Sequence, residues 1–225
     1  MIILITGGAN GVGKELSKYL KKKNKVYELG SKNKNKKNYI KCDLNNLDDI
    51  EKLSAKIPKL DILINNAGTS FRSQDNFKNF KEIININLCA PFYLSSLLLD
   101  KLKKSKRPSI INISSINSHL AFPGNPGYVS SKGGLNALTR SLALDYSKYK
   151  IRVNSISPGY INCGMTQKSY KNKILRKQRE DRTMLGRWGK PRDLFGIIDY
   201  LISSKSLYVT GQDFVIDGGW VTKGL

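Results

Sequence analysis

The chain has 225 residues, 39 of them Lys or Arg and 17 Asp or Glu, for a formal charge of +22 at pH 7. That length suits one well-buried domain over 1–225, and no linker-like stretch divides it. No apolar run approaches the roughly 20 residues of a membrane span, MIILITGG has no basic region before its apolar run, and Cys42, Cys89 and Cys163 form no CxxC pair.

A cytoplasmic protein with no membrane partner, no disulfide framework and no metal site is expected. The positive charge would attract phosphates, acidic ligands or nucleic acid. A general compositional bias explains it equally, because lysine is interleaved with asparagine in SKNKNKKN (31–38) and spread along the whole chain. No nucleic-acid recognition motif accompanies it.

Residues 2–5 form a β-branched run that leads into TGGANGVG (6–13), and KELSKYLKK then repeats apolar residues at helical spacing. Strand, glycine-rich turn and helix follow in that order. Gly7, Gly11 and Gly13 would let the backbone approach a pyrophosphate, with free N–H groups at the helix start attracting its charge; a plain tight turn would use the same residues. The second strand, 25–29, ends at Gly30, Ser31 and Lys32, where a dinucleotide fold usually carries an acid for the ribose hydroxyls. A hydroxyl and an ammonium there favour NADP over NAD. Glu28 shares a strand face with Gly30 and would supply the acid if the strand ended earlier.

A third short strand at 38–42 ends at Asp43, and a helix starts near Asn45. LDILI (60–64) is apolar enough for burial on both faces and runs into NNAG (65–68), whose small residues and amides suit a ligand lying across the strand ends. A helical pattern covers 77–103, with an irregularity expected near Pro91 and the polar Asn87 inside its apolar stretch. SIINIS (109–114) delivers Ser115 to a strand end, and a helix from Tyr128 to about Tyr149 sets Lys132 one turn beyond Tyr128 on the same face. IRVNSIS (151–157) is the sixth strand, stopped by Pro158 and Gly159. Residues 161–190 are basic and less regular, a candidate substrate lid or a solvated helix pair. Pro191 opens a helix through Ile202, and DFVIDGGW (213–220) supplies the last strand and turn.

Alternation of strand and helix from end to end predicts a parallel sheet with helices on both faces. Ligands then lie outside the carboxyl ends of the strands, where Thr6, Gly30, Asp43, Asn65, Ser115 and Pro158 fall. Ser115, Tyr128 and Lys132 make an acid/base arrangement. A free phenol has a pKa near 10, and a nearby ammonium is expected to lower it by roughly two to three units, about 3 to 4 kcal/mol in favour of the phenolate.

These motifs, in this order, resemble the short-chain dehydrogenase/reductase family over essentially the whole chain. The family's TGxxxGxG stands at 6–13, NNAG at 65–68, the helix asparagine at Asn87, the serine at Ser115, YxxxK at 128–132, PG at 158–159 and DGG at 217–219. The resemblance implies a Rossmann-like, doubly wound α/β fold of about seven parallel strands in the order 3-2-1-4-5-6-7. It also implies an NAD(P)-dependent oxidoreductase that interconverts a secondary alcohol and a ketone. The alternative is a non-catalytic NAD(P)-binding regulator or scaffold, against which the intact Asn87, Ser115, Tyr128 and Lys132 set speaks.

In the family, the residue at Tyr128 exchanges the proton and that at Ser115 orients the substrate oxygen. The residue at Lys132 holds the nicotinamide ribose, and that at Asn87 helps to place a water. The implied coenzyme set is Thr6, Gly7, Asn10, Gly11, Val12, Gly13, Ser31, Lys32, Asp43, Leu44, Asn65, Ala67, Gly68, Tyr128, Lys132, Pro158, Gly159 and Ile161. Substrate classes are 3-oxoacyl thioesters, borne by an acidic carrier protein, and sugar-derived carbonyls, to which the ending GWVTKGL is similar. A homo-oligomer, tetramer or dimer, is implied. Two departures stand out: there is almost no room for a helix between strands two and three, and Cys163 replaces the family's frequent threonine, a contact that Thr166 would take over. His119 is expected to be an exposed loop residue, and Trp188 and Trp220 packing residues.

Overall fold

The computed structural model describes residues 1–71 and 76–223. Its strands are β1 (Ile2–Thr6), β2 (Lys25–Gly30), β3 (Tyr39–Lys41), β4 (Ile62–Asn65), β5 (Ser109–Ile113), β6 (Arg152–Pro158) and β7 (Asp213–Ile216). All pair in parallel, in the order β3-β2-β1-β4-β5-β6-β7, as the motif order implies. Helix α1 (Gly11–Leu20) follows β1; α2 (Leu47–Glu51) and α3 (Leu53–Lys56) follow β3; α4 (Phe77–Ile84), α5 (Ala90–Leu97) and α6 (Leu99–Leu102) follow β4. Helix α7 (Pro126–Tyr146) joins β5 to β6, and α8 (Gln167–Lys171), α9 (Lys173–Arg182) and α10 (Phe195–Ile202) lie between β6 and β7. No helix lies between β2 and β3, as their short connection implied.

Period-two alternation sends successive strand residues to opposite faces. Leu4, Leu63, Ile110 and Val153 enter one core with Leu94 of α5 and Leu142 of α7. Ile3, Ile64, Ile111 and Ile156 enter the other with Leu16 of α1 and Ile198 of α10. Both faces are therefore covered, which is what a parallel sheet with crossover helices requires.

The long helical stretch is broken by a π-helical turn, Asn85–Cys89, immediately before Pro91. Proline has no N–H, so Pro91 cannot return the usual i→i−4 bond to the Asn87 carbonyl. The resulting distortion buries the Asn87 side chain completely. At the other end of the sheet, Gly218 and Gly219 hold φ of +67° and +85°, the left-handed region that favours glycine. A Cβ on Gly218 would meet Thr183 Cγ2 at 2.6 Å. Only glycine lets the turn after β7 seat against the segment that follows α9.

Candidate active site

The glycine-rich turn is built for close approach. Gly7 and Gly11 sit at φ +67° and +52°, and a Cβ on Gly13 would meet Asn66 Nδ2 and, at 2.5 Å, the Gly7 carbonyl. The first intrahelical bond of α1 runs from Lys14 N–H to the Asn10 carbonyl, so the N–H groups of Gly11, Val12 and Gly13 have no helical acceptor and face outward from the helix start. These features fit a dinucleotide pyrophosphate. Asn10 is exposed at that edge, while Val12 packs partly against the core beneath α1.

At the end of β2, Ser31 and Lys32 are exposed and Gly30 is half-buried. Glu28 does not supply the acid. It is 1 % exposed beneath α1, bonded by Ser17 at 2.5 Å and paired with Lys21 at 2.9 Å and Lys36 at 2.7 Å. Burial pushes its carboxyl up, but the Lys36, Ser17 and Lys21 bonds together hold it below the usual range.

Several residues of the implied coenzyme set turn out to be structural in their side chains. The Thr6 hydroxyl accepts the N–H groups of Asn66 (3.0 Å) and Ala67 (2.9 Å), fixing the NNAG loop over the turn. Asn65 points into the sheet, donating to Asn112 at 2.9 Å, and Asn112 donates to Thr139 of α7 at 2.9 Å. Asp43 accepts the Asn45 N–H at 3.0 Å in a local turn, and Leu44 packs against the core. Pro158 and Ile161 are buried; Gly159 N–H donates to the Ile216 carbonyl at 3.0 Å, and Ile161 bridges to Gly189. Thr166 is bonded to the Ile161 and Cys163 carbonyls.

Four sequence-predicted residues converge. Ser115 leaves the end of β5 with its hydroxyl donating to Asn117 Oδ1 at 3.1 Å and accepting the Asn117 N–H at 3.2 Å, near enough to Tyr128 to draw its phenol downward, and Tyr128 and Lys132 stand one turn apart on α7. Lys132 is 3 % exposed and donates to the Ile113 carbonyl at 2.8 Å. Asn87 accepts the Thr69 N–H at 2.8 Å and donates to the Thr69 carbonyl and the Ser131 hydroxyl, each at 3.0 Å. A Cβ on Gly68 would lie 3.4 Å from Asn87 Oδ1 and 3.7 Å from Lys132 Nζ. The glycine thus opens the space where loop, π-turn and ammonium meet.

The electrostatics correct one expectation. Burial raises the Tyr128 phenol above its ordinary value, with the nearby Ser115 hydroxyl opposing it only in part. The Lys132 ammonium, 5.6 Å from the phenol ring centre and aimed at a carbonyl, is itself pulled down to about 8 by burial. Desolvation wins over helix-face proximity.

Two groupings were not legible from motif spacing. Asp213 of β7 accepts from Ser155 (2.7 Å), Ser157 (2.8 and 2.9 Å) and Asn136 (3.0 Å), and pairs with His119 at 2.6 Å. Asn136 also donates to Ser118, which bonds the Ser115 carbonyl at 2.6 Å. His119 is exposed in its loop, as expected, and its ring also reaches Asp213 in a knot behind Ser115. The signal was a lone acid at the start of a strand opposite two serines. The second grouping lies over the ends of β6 and β7, where Tyr160 packs against Trp188 and Trp220 with ring centres 5.3 and 4.8 Å away. Both tryptophans are buried, as expected.

Glycine cradle, sheet order and the Ser115–Tyr128–Lys132 cluster define a dinucleotide-dependent oxidoreductase. A protein-family model described as enoyl-(acyl carrier protein) reductase matches residues 7–221. The 3-oxoacyl-(acyl-carrier-protein) reductase of Rickettsia felis is 34% identical over 235 residues, 96% of this chain and 95% of that protein. The 2-dehydro-3-deoxy-D-gluconate 5-dehydrogenase of Dickeya dadantii is 37% identical over 182 residues, 77% and 70%. A solved 4-hydroxyisoleucine dehydrogenase complexed with NADH superposes with a TM-score of 0.93 at 36% identity, covering 100% of this chain and 99% of the other. The chain belongs to the short-chain dehydrogenase/reductase family, and it is an NAD(P)-dependent oxidoreductase that interconverts a secondary alcohol and a ketone.

Proposed function

We propose that this enzyme reduces a ketone with Tyr128 as the proton donor, Ser115 as the group that orients and polarises the carbonyl oxygen, and Lys132 as the ammonium that holds the coenzyme ribose. The coenzyme, when bound, supplies the hydride. Tyr128 then delivers its proton to the carbonyl oxygen to which Ser115 donates, so that no free alkoxide forms. Asn87 serves through its backbone: its amide is spent on Thr69 and Ser131, and its carbonyl, deprived of a donor by Pro91, is the group to hold a water in the proton path. The observation that carries the reading is the convergence of the Ser115 hydroxyl at the end of β5 with Tyr128 and the buried Lys132 ammonium, 5.6 Å from the phenol ring centre.

The pyrophosphate belongs on the N–H groups of residues 11–13, and the 2'-phosphate of NADP beside Ser31 and Lys32. Lys34, 3.4 Å from the Ala9 carbonyl, stands ready at the same edge, and Glu28 is neutralised below it. NADP is the preferred coenzyme. Segment 161–190 acts as the substrate lid. A 3-oxoacyl thioester is one substrate class, matching the carrier-protein reductase relative and a carrier acidic enough for the basic surface. A sugar-derived carbonyl is the other, matching the gluconate relative; the last residues of GWVTKGL, 224–225, lie outside the described residues. The working form is a cytoplasmic homo-oligomer. Tyr128→Phe is expected to abolish turnover while both reduced coenzymes still bind, NADPH the tighter. Turnover that survives in Tyr128→Phe refutes the assignment.

A further inference from the structure

Helix α9 turns three arginines toward the aromatic cluster over β6 and β7. Arg176 lies 4.7 Å from the Tyr170 ring centre, Arg179 4.9 Å from Tyr160 and Arg182 5.2 Å from Trp220. Arg176 is neutralised by Glu180 at 2.9 Å. Arg179 and Arg182 have no carboxylate partner among the described residues. Arg179 is nonetheless only 9 % exposed, and its one bond runs from Nη1 to the Leu175 carbonyl. The Nε–H groups of Arg179 and Arg182 and the Trp220 indole N–H are all buried without an acceptor.

Three buried N–H donors without acceptors thus lie on the buried Arg179, the half-buried Arg182 and the buried Trp220. Buried charges are normally paired, and leaving a donor unmet costs free energy. Arg152, the other deeply buried arginine, shows the ordinary solution: it donates to Ser206 and to the Leu201 carbonyl. The α9 cluster lacks such partners, so it is built for a guest that brings them. Its position says which guest. Tyr160 follows Pro158 at the end of β6, and the β5–β6 register, Ile113 opposite Ile156, carries on to set Ser115 beside Pro158. Trp220 follows the turn after β7. The cluster shares the strand-end edge with Ser115.

We propose that Arg179, Arg182 and the Trp220 indole form a carboxylate subsite, so that the substrate is an alcohol or ketone that also carries a carboxylate. The inference rests on the reductase reading above and narrows its substrate class from carrier-bound thioesters to oxo or hydroxy acids. A guanidinium fork matches a carboxylate bidentately, and aromatic faces below it hold the fork in place.

The test is calorimetric titration of the protein, saturated with NADP+, with succinate and with its neutral isostere succinamide, at about 0.15 M salt where the general field is screened. Succinate is expected to bind at least tenfold more tightly. Arg179→Gln and Arg182→Gln should each remove at least tenfold for succinate and leave succinamide and NADP+ unchanged. Arg179→Lys, which keeps the charge but loses the fork, should forfeit a clear part of the preference. Lys168→Gln, on exposed α8, should change nothing. Equal affinity for the two probes, undiminished succinate binding in both Gln variants, an equal loss in Lys168→Gln, or no succinate binding by protein that binds NADP+ each overturns the subsite. The wild-type comparison stands even if a Gln variant misfolds. Failure of NADP+ binding, or turnover by Tyr128→Phe, would instead count against the reductase reading.

Discussion

Replacing Lys132 with Met should stabilise the coenzyme-free protein near neutral pH while destroying its activity. The buried ammonium titrates at about 8, whereas an unfolded lysine titrates near 10.4, and each unit of difference is worth about 1.4 kcal/mol. Keeping Lys132 charged in the fold therefore costs about 3 kcal/mol. The sign follows from proton counting. The folded pKa lies below the unfolded one, so between about 8 and 10.4 the unfolded chain holds the extra proton and stability rises with pH. Below 8 the penalty is present in full. Methionine removes it and forfeits the bond to the Ile113 carbonyl, about 1 kcal/mol. Lys132→Met should thus be about 2 kcal/mol more stable than the parent at pH 7 and about 1 kcal/mol less stable at pH 10.5. Urea unfolding of both proteins at pH 7, 8.5 and 10, without coenzyme, measures the difference directly. A difference that stays flat across that range refutes the burial argument, whatever its absolute value.

Ser115→Ala removes the hydroxyl whose influence opposes burial at Tyr128, so the phenol rises further. Alcohol oxidation, which needs Tyr128 to accept a proton, should have its rising pH limb moved upward and its rate at pH 8 cut by about 10²- to 10⁴-fold; an unmoved limb counts against the Ser115–Tyr128 coupling. Gly13→Ala drives a methyl into the Gly7 carbonyl and Asn66, which should cost about 1 to 3 kcal/mol and weaken coenzyme binding at least tenfold, as read by fluorescence titration. Asp213→Leu strands the donors of His119, Asn136, Ser155 and Ser157. Urea unfolding should show a loss of about 3 kcal/mol, and a loss near zero would mean that the knot is ornamental.

The strand ends and the placement of Ser115, Tyr128 and Lys132 were legible because each rests on local spacing, whereas the sheet order and the role of Asn87 came from the family resemblance. A β-branched run ending in a glycine turn fixes where a strand stops, and one helical turn fixes what faces Tyr128. Side chains whose role depends on what lies across the sheet were not legible. Asn65 and Asp43 sit at the expected strand ends, yet Asn65 is claimed by Asn112, a residue 47 positions away. Glu28 was ambiguous for the same reason. Alternation placed it on a face but could not say that Lys21 and Lys36 from two other segments would close over it. His119 and Asp213, 94 residues apart, meet only because β7 closes the sheet beside β6.

The phenol pKa is where spacing misled most usefully. One helical turn does bring the Lys132 ammonium near Tyr128, but the ammonium spends a proton on the Ile113 carbonyl and both groups lose water. Desolvation penalises each charged form, so it raises the phenol and lowers the amine together. The neutral phenol is the acid that ketone reduction needs, and it is already in the required state. Oxidation would have to start from the phenolate, the form that burial disfavours. The same chain without coenzyme is therefore poised as a proton donor, and any lowering of the Tyr128 pKa has to come from the arrival of ligands that hold Lys132 in its charged form.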